Sequence, residues 1–398
     1  MNFMFDVYVG NTNRPLSEAH ANITLPATPY QLLDAMGRLQ IKNPEDEYYQ
    51  IEDYYDCKFL SSYLHGKASL TQLNTLAQKL SEMEEWRKDA LEGLLKMDAL
   101  KENRLPSIER VIDLAHSTDS CQVLYEARND EQLGRFYAEN GFIPEVEDIS
   151  DEVFEMLDFE MLGRKMRTEE NGVFTQAGYI VCTGELSEVA KDMDFQLKQP
   201  DYTVLLEVSR GYFNDPTDNC EKTILLELPI PREKRNEVPE LLESASWEEL
   251  GFHVLDCAVP QAMDWIEEAG DIEGIESFAS DLKLLQDEGS LTKYKAVLKA
   301  TQCGNYQTAV QLIETLDAYL FSPSLDSPEA IAKEELKNYM DEDVEGVLPY
   351  VNLWGYGNAL LEKFGSALTE YGLVDRADFL PILENVGKPE QDEIEMSM

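Results

Sequence analysis

The sequence is poor in basic residues: it has 33 Lys and Arg against 78 Asp and Glu, and its formal net charge is −45 at pH 7. A protein that binds nucleic acid directly needs a basic surface to displace the counterions of the phosphates. This charge therefore excludes the commonest kind of nucleic-acid binder, and we expect no direct nucleic-acid binding. Attraction to anionic membrane surfaces is disfavoured for the same reason.

Paired cysteines and long apolar runs are also missing. The six cysteines stand singly, and no two have the CxxC spacing of a zinc site or a thioredoxin-like redox centre. No apolar run approaches the roughly 20 residues that cross a bilayer, and the N-terminus MNFMFDVYVG has no basic region typical of a signal peptide. We therefore expect reduced thiols, no membrane partner and a cytoplasmic location.

Signatures of catalysis are missing as well. The four histidines, His20, His65, His116 and His253, form no HExxH motif, and the chain has neither a GxSxG elbow nor a GxxxxGK[ST] phosphate loop. The segment 355–357 begins a GxG motif without its third glycine. We expect no enzyme, no metal and no cofactor. A carboxylate-dependent hydrolase, which needs only two acids, stays open as an alternative of a different class.

What the sequence does contain is enough apolar material for packed cores, with 43% hydrophobic and 10% aromatic residues. Strands and helices are predicted by period and by Gly, Pro and Asn signals. The predicted strands are 3–9, 21–25, 48–59, 172–181, 202–208, 223–228 and 252–256, and the predicted helices are 28–39, 69–100, 107–114, 121–125, 130–139, 151–161, 234–242, 274–300 and 306–319. A chain of 398 residues with this order favours two or three domains.

The two halves of the chain resemble each other. SLTQLNTLAQKLSEMEEW resembles GIESFASDLKLLQDEGSL, ERVIDLAHSTD resembles QTAVQLIETLD, and LDFEMLGRKM resembles VNLWGYGNAL with Gly163 opposite Gly357. We interpret this as a tandem duplication. The predicted domains are repeat 1 at 1–184, a linker at 185–200, a divergent repeat 2 at 201–386 and a flexible acidic tail at 387–398.

Carboxylates are concentrated in four blocks that contain no Lys or Arg. The candidate partner-binding acids are Glu45, Asp46, Glu47, Glu52, Asp53 and Asp56; Glu145, Glu147, Asp148, Asp151, Glu152, Glu155, Asp158 and Glu160; Asp264, Glu267, Glu268, Asp271, Glu273 and Glu276; and Asp341, Glu342, Asp343 and Glu345. On one helix, acids four residues apart stand about 6 Å apart, close to the phosphate spacing of a DNA strand. Asp148, Glu152 and Glu155 are therefore predicted to imitate a short phosphate run.

One such block alone indicates a solvated face, and an evenly acidic surface is typical of a salt-adapted protein or a scaffold. Four blocks favour a functional role for the acids, because like charges four residues apart destabilise a helix by a few tenths of a kcal/mol per pair. Their mutual repulsion also favours an elongated molecule. We predict an elongated α+β fold of two similar halves, each made of small antiparallel sheets and short helical bundles.

Residues 3–181 resemble the ArdA antirestriction family, acidic DNA mimics carried by conjugative elements. The resemblance rests on VYVGNTNRPL, IEDYYDCKF, SLTQLNTLAQKL, EQLGRFYAENG, LDFEMLGRKM and GVFTQAGYIV. It implies an elongated α+β chain that mimics bent B-form DNA in the DNA groove of type I restriction-modification enzymes. The stretch 131–141 resembles the antirestriction motif of the family dimer interface, which implies interface or packing roles for Leu133, Phe136 and Tyr137.

The resulting prediction is an anti-defence inhibitor whose ordered carboxylates bind the methyltransferase core of a type I restriction-modification enzyme. Another nucleic-acid-targeting defence complex, such as a CRISPR effector, is the alternative target. The chain is expected to act either as a homodimer or as a single-chain pseudodimer. In the second half the segment AIAKEELKNYM lacks the aromatic pair of the motif.

Overall fold

Small sheets and helices alternate through the computed structural model, which describes residues 2–14, 20–41, 46–64, 68–146, 149–210, 222–269, 272–339 and 344–382. Within these residues the strands form four three-stranded antiparallel sheets with helices between them. The predicted α+β class is therefore confirmed.

The first half contains two of these sheets, with strand orders β2-β1-β3 and β4-β6-β5. Its strands are β1 Phe5–Asn11, β2 Ala21–Leu25, β3 Glu47–Asp53, β4 Cys121–Leu124, β5 Val173–Phe174 and β6 Tyr179–Cys182. Its helices are α1 Pro29–Arg38, α2 Leu70–Ser81, α3 Glu85–Glu102, α4 Ile108–Ala115, α5 Asp130–Glu139, α6 Asp151–Phe154 and α7 Phe159–Glu170.

The second half contains the other two sheets, with strand orders β8-β7-β9 and β10-β12-β11. Its strands are β7 Val204–Arg210, β8 Thr223–Leu228, β9 Leu250–Cys257, β10 Tyr319–Ser322, β11 Ala367–Thr369 and β12 Gly372–Arg376. Its helices are α8 Arg232–Leu241, α9 Met263–Ala269, α10 Ile272–Asp287, α11 Leu291–Ala300, α12 Tyr306–Glu314, α13 Pro328–Tyr339, α14 Val344–Val347 and α15 Leu353–Phe364.

Helix ends follow the capping residues in the sequence. Thr28 caps α1, with Pro29 in the first turn and Gln31 completing a capping box, and Ser69 caps α2 in the same way. Helix α5 ends at Asn140, and Gly141 follows with φ +70°, a left-handed conformation that glycine adopts at low cost. The predicted bounds of β2, α5 and β8 match the observed ones.

Several predicted elements are wrong in type or length. Of residues 121–125, predicted as a helix, Cys121–Leu124 form β4 instead, because β6 pairs with that strand along its whole length. The predicted strand 48–59 stops at Asp53, and a 3₁₀ turn at Tyr55–Ser62 buries Cys57 and Leu60 instead. The predicted helices 69–100 and 274–300 are each two helices.

A disulfide joins two of the cysteines that were expected to be reduced. Cys121 and Cys182 face each other across β4 and β6, with their sulfurs 2.01 Å apart. Spacing rules in sequence do not detect this pair because the sheet brings together residues 61 positions apart. Cys57, Cys257 and Cys303 are free thiols, while Cys220 lies outside the described residues.

The chain divides into two units. Unit 1 comprises Met1–Tyr8, Ile23–Ala27 and Tyr49–Gln196, and unit 2 comprises Val9–Asn22, Thr28–Tyr48 and Leu197–Met398. Helix α1 thus belongs to unit 2. There the ring of Tyr30 is buried in the large apolar core, and its hydroxyl donates to the backbone oxygen of Tyr202. The predicted domain division stays a prediction.

A buried ionic network fixes α1 within unit 2. Asp34, 8% exposed, accepts hydrogen bonds from Lys295 at 2.8 Å and from the Tyr371 hydroxyl at 3.0 Å. Arg38 lies 3.1 Å from the same carboxylate. Buried charges are tolerated when they are paired and hydrogen-bonded in this way. The network therefore makes α1 part of the interior of unit 2.

Helices α5 and α7 of unit 1 cross with almost no space between their backbones. A Cβ atom on Gly163 would lie 1.8 Å from the backbone oxygen of Asp130, and one on Gly134 would lie 1.9 Å from that of Phe159. Helices α13 and α15 of unit 2 meet similarly, since a Cβ on Gly357 would lie 1.9 Å from the Pro328 oxygen. Only glycine fits at such positions.

The two halves share further details of local structure. The N-caps Asp158 of α7 and Asn352 of α15 each accept from a backbone N–H three residues on. Both helices end in a left-handed residue, Asn171 or Gly365. The helix and hairpin of 158–182 therefore align with those of 352–376 without an insertion.

Candidate partner-binding surface

An exposed group of predicted acids in unit 1 surrounds the short helix α6. Glu145 lies in a 3₁₀ turn, and Asp151 and Glu152 form the first turn of α6; all three are exposed. Negative side chains are favourable there because they face the positive end of the helix dipole. Among the described residues, no ion pair involves any of the three. These carboxylates are available to a partner.

The single acidic helix predicted at 151–161 is wrong. Helix α6 ends at Phe154, and α7 begins at Phe159. Asp158 caps α7, because its Oδ1 accepts the Met161 N–H at 2.9 Å. Glu152 lies on α6 and Glu155 is its C-cap. Glu147 and Asp148 lie outside the described residues, so the row of Asp148, Glu152 and Glu155 stays a prediction.

Two further acids of this block are neutralised within the unit. The carboxylate of Glu155 lies 3.5 Å from Arg135, and that of Glu160 lies 2.5 Å from Arg164. The Arg135 guanidinium also lies 4.3 Å above the Phe159 ring, which holds it in place. The sequence block itself contains no Lys or Arg. The fold places Arg135 of α5 beside it, and Arg164 lies one turn further along α7.

The first predicted block lies along β3 and the turn after it. Glu52, Asp53 and Asp56 are exposed, although Asp53 also accepts the Tyr55 N–H at 3.0 Å. Asp56 stands 4.0 Å from the Lys88 ammonium.

At the other end of β3, Asp46 accepts a hydrogen bond from the Asn13 amide at 2.6 Å. Glu47 is half-buried and Glu45 lies outside the described residues. The exposed acids of this block are therefore those at its C-terminal end.

The third block is largely engaged in holding unit 2 together. Glu267 accepts the Val254 N–H at 2.9 Å and pairs with His253. Arg235, 9% exposed, is held by Glu276 and by Glu273, the latter at 3.2 Å. These acids neutralise a buried cation, which the sequence conceals because Arg235 lies far away along the chain.

The remaining predicted acids lie on α9, on α14 or outside the described residues. Asp264 is exposed in the first turn of α9. Glu345 lies on α14, and like Glu268 its side chain lies outside the described residues. Asp271, Asp341, Glu342 and Asp343 are also outside them.

Sequence reasoning missed a group of acids at the start of α3. Glu82, Glu84 and Glu85 are exposed, and Glu85 bonds the ammonium of buried Lys88 at 2.8 Å. The segment SEMEEW, with three glutamates in the four positions 82–85, carries the signal. The apolar residues of this segment indicate a helix face, and that pattern hides the group of acids.

The three predicted interface residues divide into packing and surface positions. Leu133 is fully buried. The Tyr137 hydroxyl donates to Glu170 at 2.8 Å, as does that of Tyr179 at 2.9 Å, and burial followed by this hydrogen bond raises the pKa of Tyr137. Phe136 stacks on Phe142, which is 57% exposed. The Phe136–Phe142 pair, formed by a motif residue and the residue just after the motif, is therefore open to contact.

An ion pair within unit 1 joins α5 to α7. The Asp130 carboxylate accepts from Arg167 at 2.8 and 3.0 Å. This hydrogen bonding lowers the pKa of Asp130 below its ordinary 3.8.

In the part of the chain that the structure describes, no three His, Cys, Asp or Glu residues are grouped to hold a metal ion. No helix there has both the length and the apolar character to cross a bilayer.

A folded surface with exposed, unpaired carboxylates such as those around α6 suits binding to a basic surface of another protein. Residues 19–181 match the family model described as antirestriction protein (ArdA). The match runs from just before β2 into β6, covers less than half of the chain, and includes the surface around α6. No curated protein matches the chain.

Proposed function

We propose that the chain inhibits a type I restriction-modification enzyme by occupying its DNA-binding groove with carboxylates in place of phosphates. The observation that carries the proposal is the antirestriction match over residues 19–181, together with the exposed, unpaired acids around α6. No catalytic step is required, since competition for the groove is sufficient to inhibit.

The mechanism follows from charge and order. Lysine and arginine side chains that normally contact phosphates meet Glu145, Asp151 and Glu152, which the fold presents without internal partners. A net charge of −45 also attracts a basic groove over distance and speeds encounter. Because exposed charges are screened beyond about 8–10 Å in salt, inhibition should weaken as ionic strength rises.

The second half is proposed to be a divergent copy of the first, so that one chain acts as a pseudodimer. Supporting this are the matching sheet orders, the shared caps of α7 and α15, and the glycine at each helix crossing. Light scattering after size exclusion should give the mass of one chain, 45.3 kDa. A stable mass of twice that value would contradict a pseudodimer.

Competition with duplex DNA tests the proposed function. The immobilised chain should capture the methyltransferase core of a type I enzyme, and a duplex carrying its target sequence should release it. A duplex without that sequence should release it only at higher concentration. A complex in which the core holds duplex DNA and this chain together would overturn the proposal.

A further inference from the structure

Unit 2 contains an apolar cavity of about 330 Å³ between α13, α15 and the sheet of β10 and β12. Its inner wall consists of Ile331, Leu360, Leu361 and Leu373. Three of these, Ile331, Leu360 and Leu373, form a small buried cluster. The cavity lies in the half of the chain beyond the family match.

The corresponding place in unit 1 is filled. Leu373 of β12 corresponds to Tyr179 of β6 in the strand register. Leu373 pairs with the last residue of β10, and Tyr179 pairs with the last residue of β4. In unit 1 the ring of Tyr137 packs against the buried cluster that includes Leu133 and Tyr179. When α5 and α13 are aligned at their first residues, Tyr137 corresponds to Glu335. A charged side chain such as Glu335 cannot fill an apolar space.

The hydrogen-bonding partner has also been replaced. Glu170, which accepts from both tyrosines in unit 1, ends α7 just as Phe364 ends α15. In the strand register, polar Gln122 of β4 corresponds to Leu320 of β10. The position that polar side chains fill in unit 1 is thus apolar and open in unit 2.

Large apolar side chains surround the mouth of the cavity. Leu320 is 52% exposed, Phe364 is 49% exposed and Phe379 is 87% exposed. Burying apolar side chains of this size stabilises a complex. An aromatic or aliphatic group that enters the cavity would cover these surfaces.

The charge at the mouth is negative. Glu335 and Asp375 line it, while the one lining cation, Arg376, is bonded to Asp378 at 2.9 and 2.5 Å. Glu334 also lines it and pairs with Lys337 at 3.2 Å. Asp375 and Glu335, whose carboxylate also accepts the Tyr339 hydroxyl, have no cation paired with them among the described residues and thus attract cations beside the opening.

We propose that this cavity receives an aromatic side chain flanked by lysine or arginine, from the basic surface of a protein partner. A cavity of about 150 Å³ suffices for benzene, so about twice that volume takes a phenol or indole ring. The flanking cations meet Glu335 and Asp375. The site goes beyond the proposed function, because it is apolar and binds without imitating phosphates.

Fluorine NMR with a short peptide tests this on the full chain. The probe is acetyl-Lys-(4-fluorophenylalanine)-Lys-amide, whose ¹⁹F line should broaden and shift in proportion to the chain added. The same peptide with glutamates in place of the lysines should bind at least tenfold more weakly. No binding of the lysine probe, or equal binding of both peptides, would overturn the proposal.

Two filling variants locate the probe. Glu335→Tyr restores the ring found in unit 1 and should abolish binding, whereas Glu335→Gln removes only the charge and should weaken binding a few-fold. Leu361→Trp fills the cavity from α15 and should give the same loss independently. If both filling variants fold, as judged by thermal unfolding, and bind the probe unchanged, the cavity is not the site. Neither measurement involves a restriction enzyme, so failure here is distinct from failure of the proposed function.

Discussion

Neutralising the three unpaired acids near α6 should weaken inhibition much more than removing the same charge elsewhere. The variant is Glu145→Gln with Asp151→Asn and Glu152→Gln, which keeps side-chain size. None of the three holds an internal cation, so the change should leave unit 1 folded. The loss of the two first-turn charges costs α6 about 0.3–1 kcal/mol for each.

The size of the effect follows from the exposure of the three carboxylates. An exposed ion pair contributes about 0.2–1 kcal/mol, so three contribute about 0.6–3 kcal/mol. Since about 1.4 kcal/mol corresponds to tenfold in affinity, the inhibition constant should rise about 3- to 150-fold. The salt dependence of inhibition should also become shallower, because fewer charges take part.

The assay is inhibition of DNA cleavage by a type I enzyme at low and at physiological salt. The matched control is Glu233→Gln with Glu237→Gln and Glu240→Gln, three exposed acids on α8 outside the family match. The control should keep its potency to within about twofold. Equal losses in both variants would show that net charge alone acts, and no loss in either would remove the α6 surface from the contact.

Three further outcomes concern stability, measured by urea unfolding with circular dichroism. Gly163→Ala should destabilise unit 1 by about 3 kcal/mol or more, since its Cβ meets backbone, whereas Gly37→Ala in open space should stabilise α1 by about 0.5 kcal/mol. Lys295→Met should destabilise unit 2 by about 3 kcal/mol because it leaves a buried carboxylate short of a partner, while exposed Lys299→Met should cost under about 1 kcal/mol. The lowered pKa of Asp130 means that its ion pair stabilises fully above pH 3.8 and is lost as pH falls through the folded-state pKa, so the stability difference from Asp130→Asn should shrink below about pH 4. Equal effects within either pair, or a difference that does not change with pH, would contradict the assigned contacts.

Local signals predicted much of the fold. Thr28, Pro29 and Gln31 define the start of α1, and Asn140 with Gly141 defines the end of α5, because caps and left-handed residues act over a few positions. The predicted helix at 121–125 is wrong because the strand Cys121–Leu124 depends on pairing with β6. Pairing between distant segments leaves no mark on local period.

The acidic surface was only partly predictable for the same reason. Exposed positions such as Glu145, Asp151 and Glu152 follow from the density of acids in the block and its lack of Lys and Arg. The engagement of Glu273 and Glu276 does not, because their cation, Arg235, comes from a different helix. Which acids remain available to a partner is decided by tertiary contacts.

Helix α1 has a consequence for how this chain can be divided. Its residues lie near the N-terminus, yet Tyr30 is buried in the core of unit 2 and Asp34 satisfies a lysine there. A single cut near Gln196 would therefore leave the C-terminal piece with an open core and an uncompensated ammonium. The second half should therefore fold only when the α1 segment is present, either in the same chain or supplied as a separate peptide.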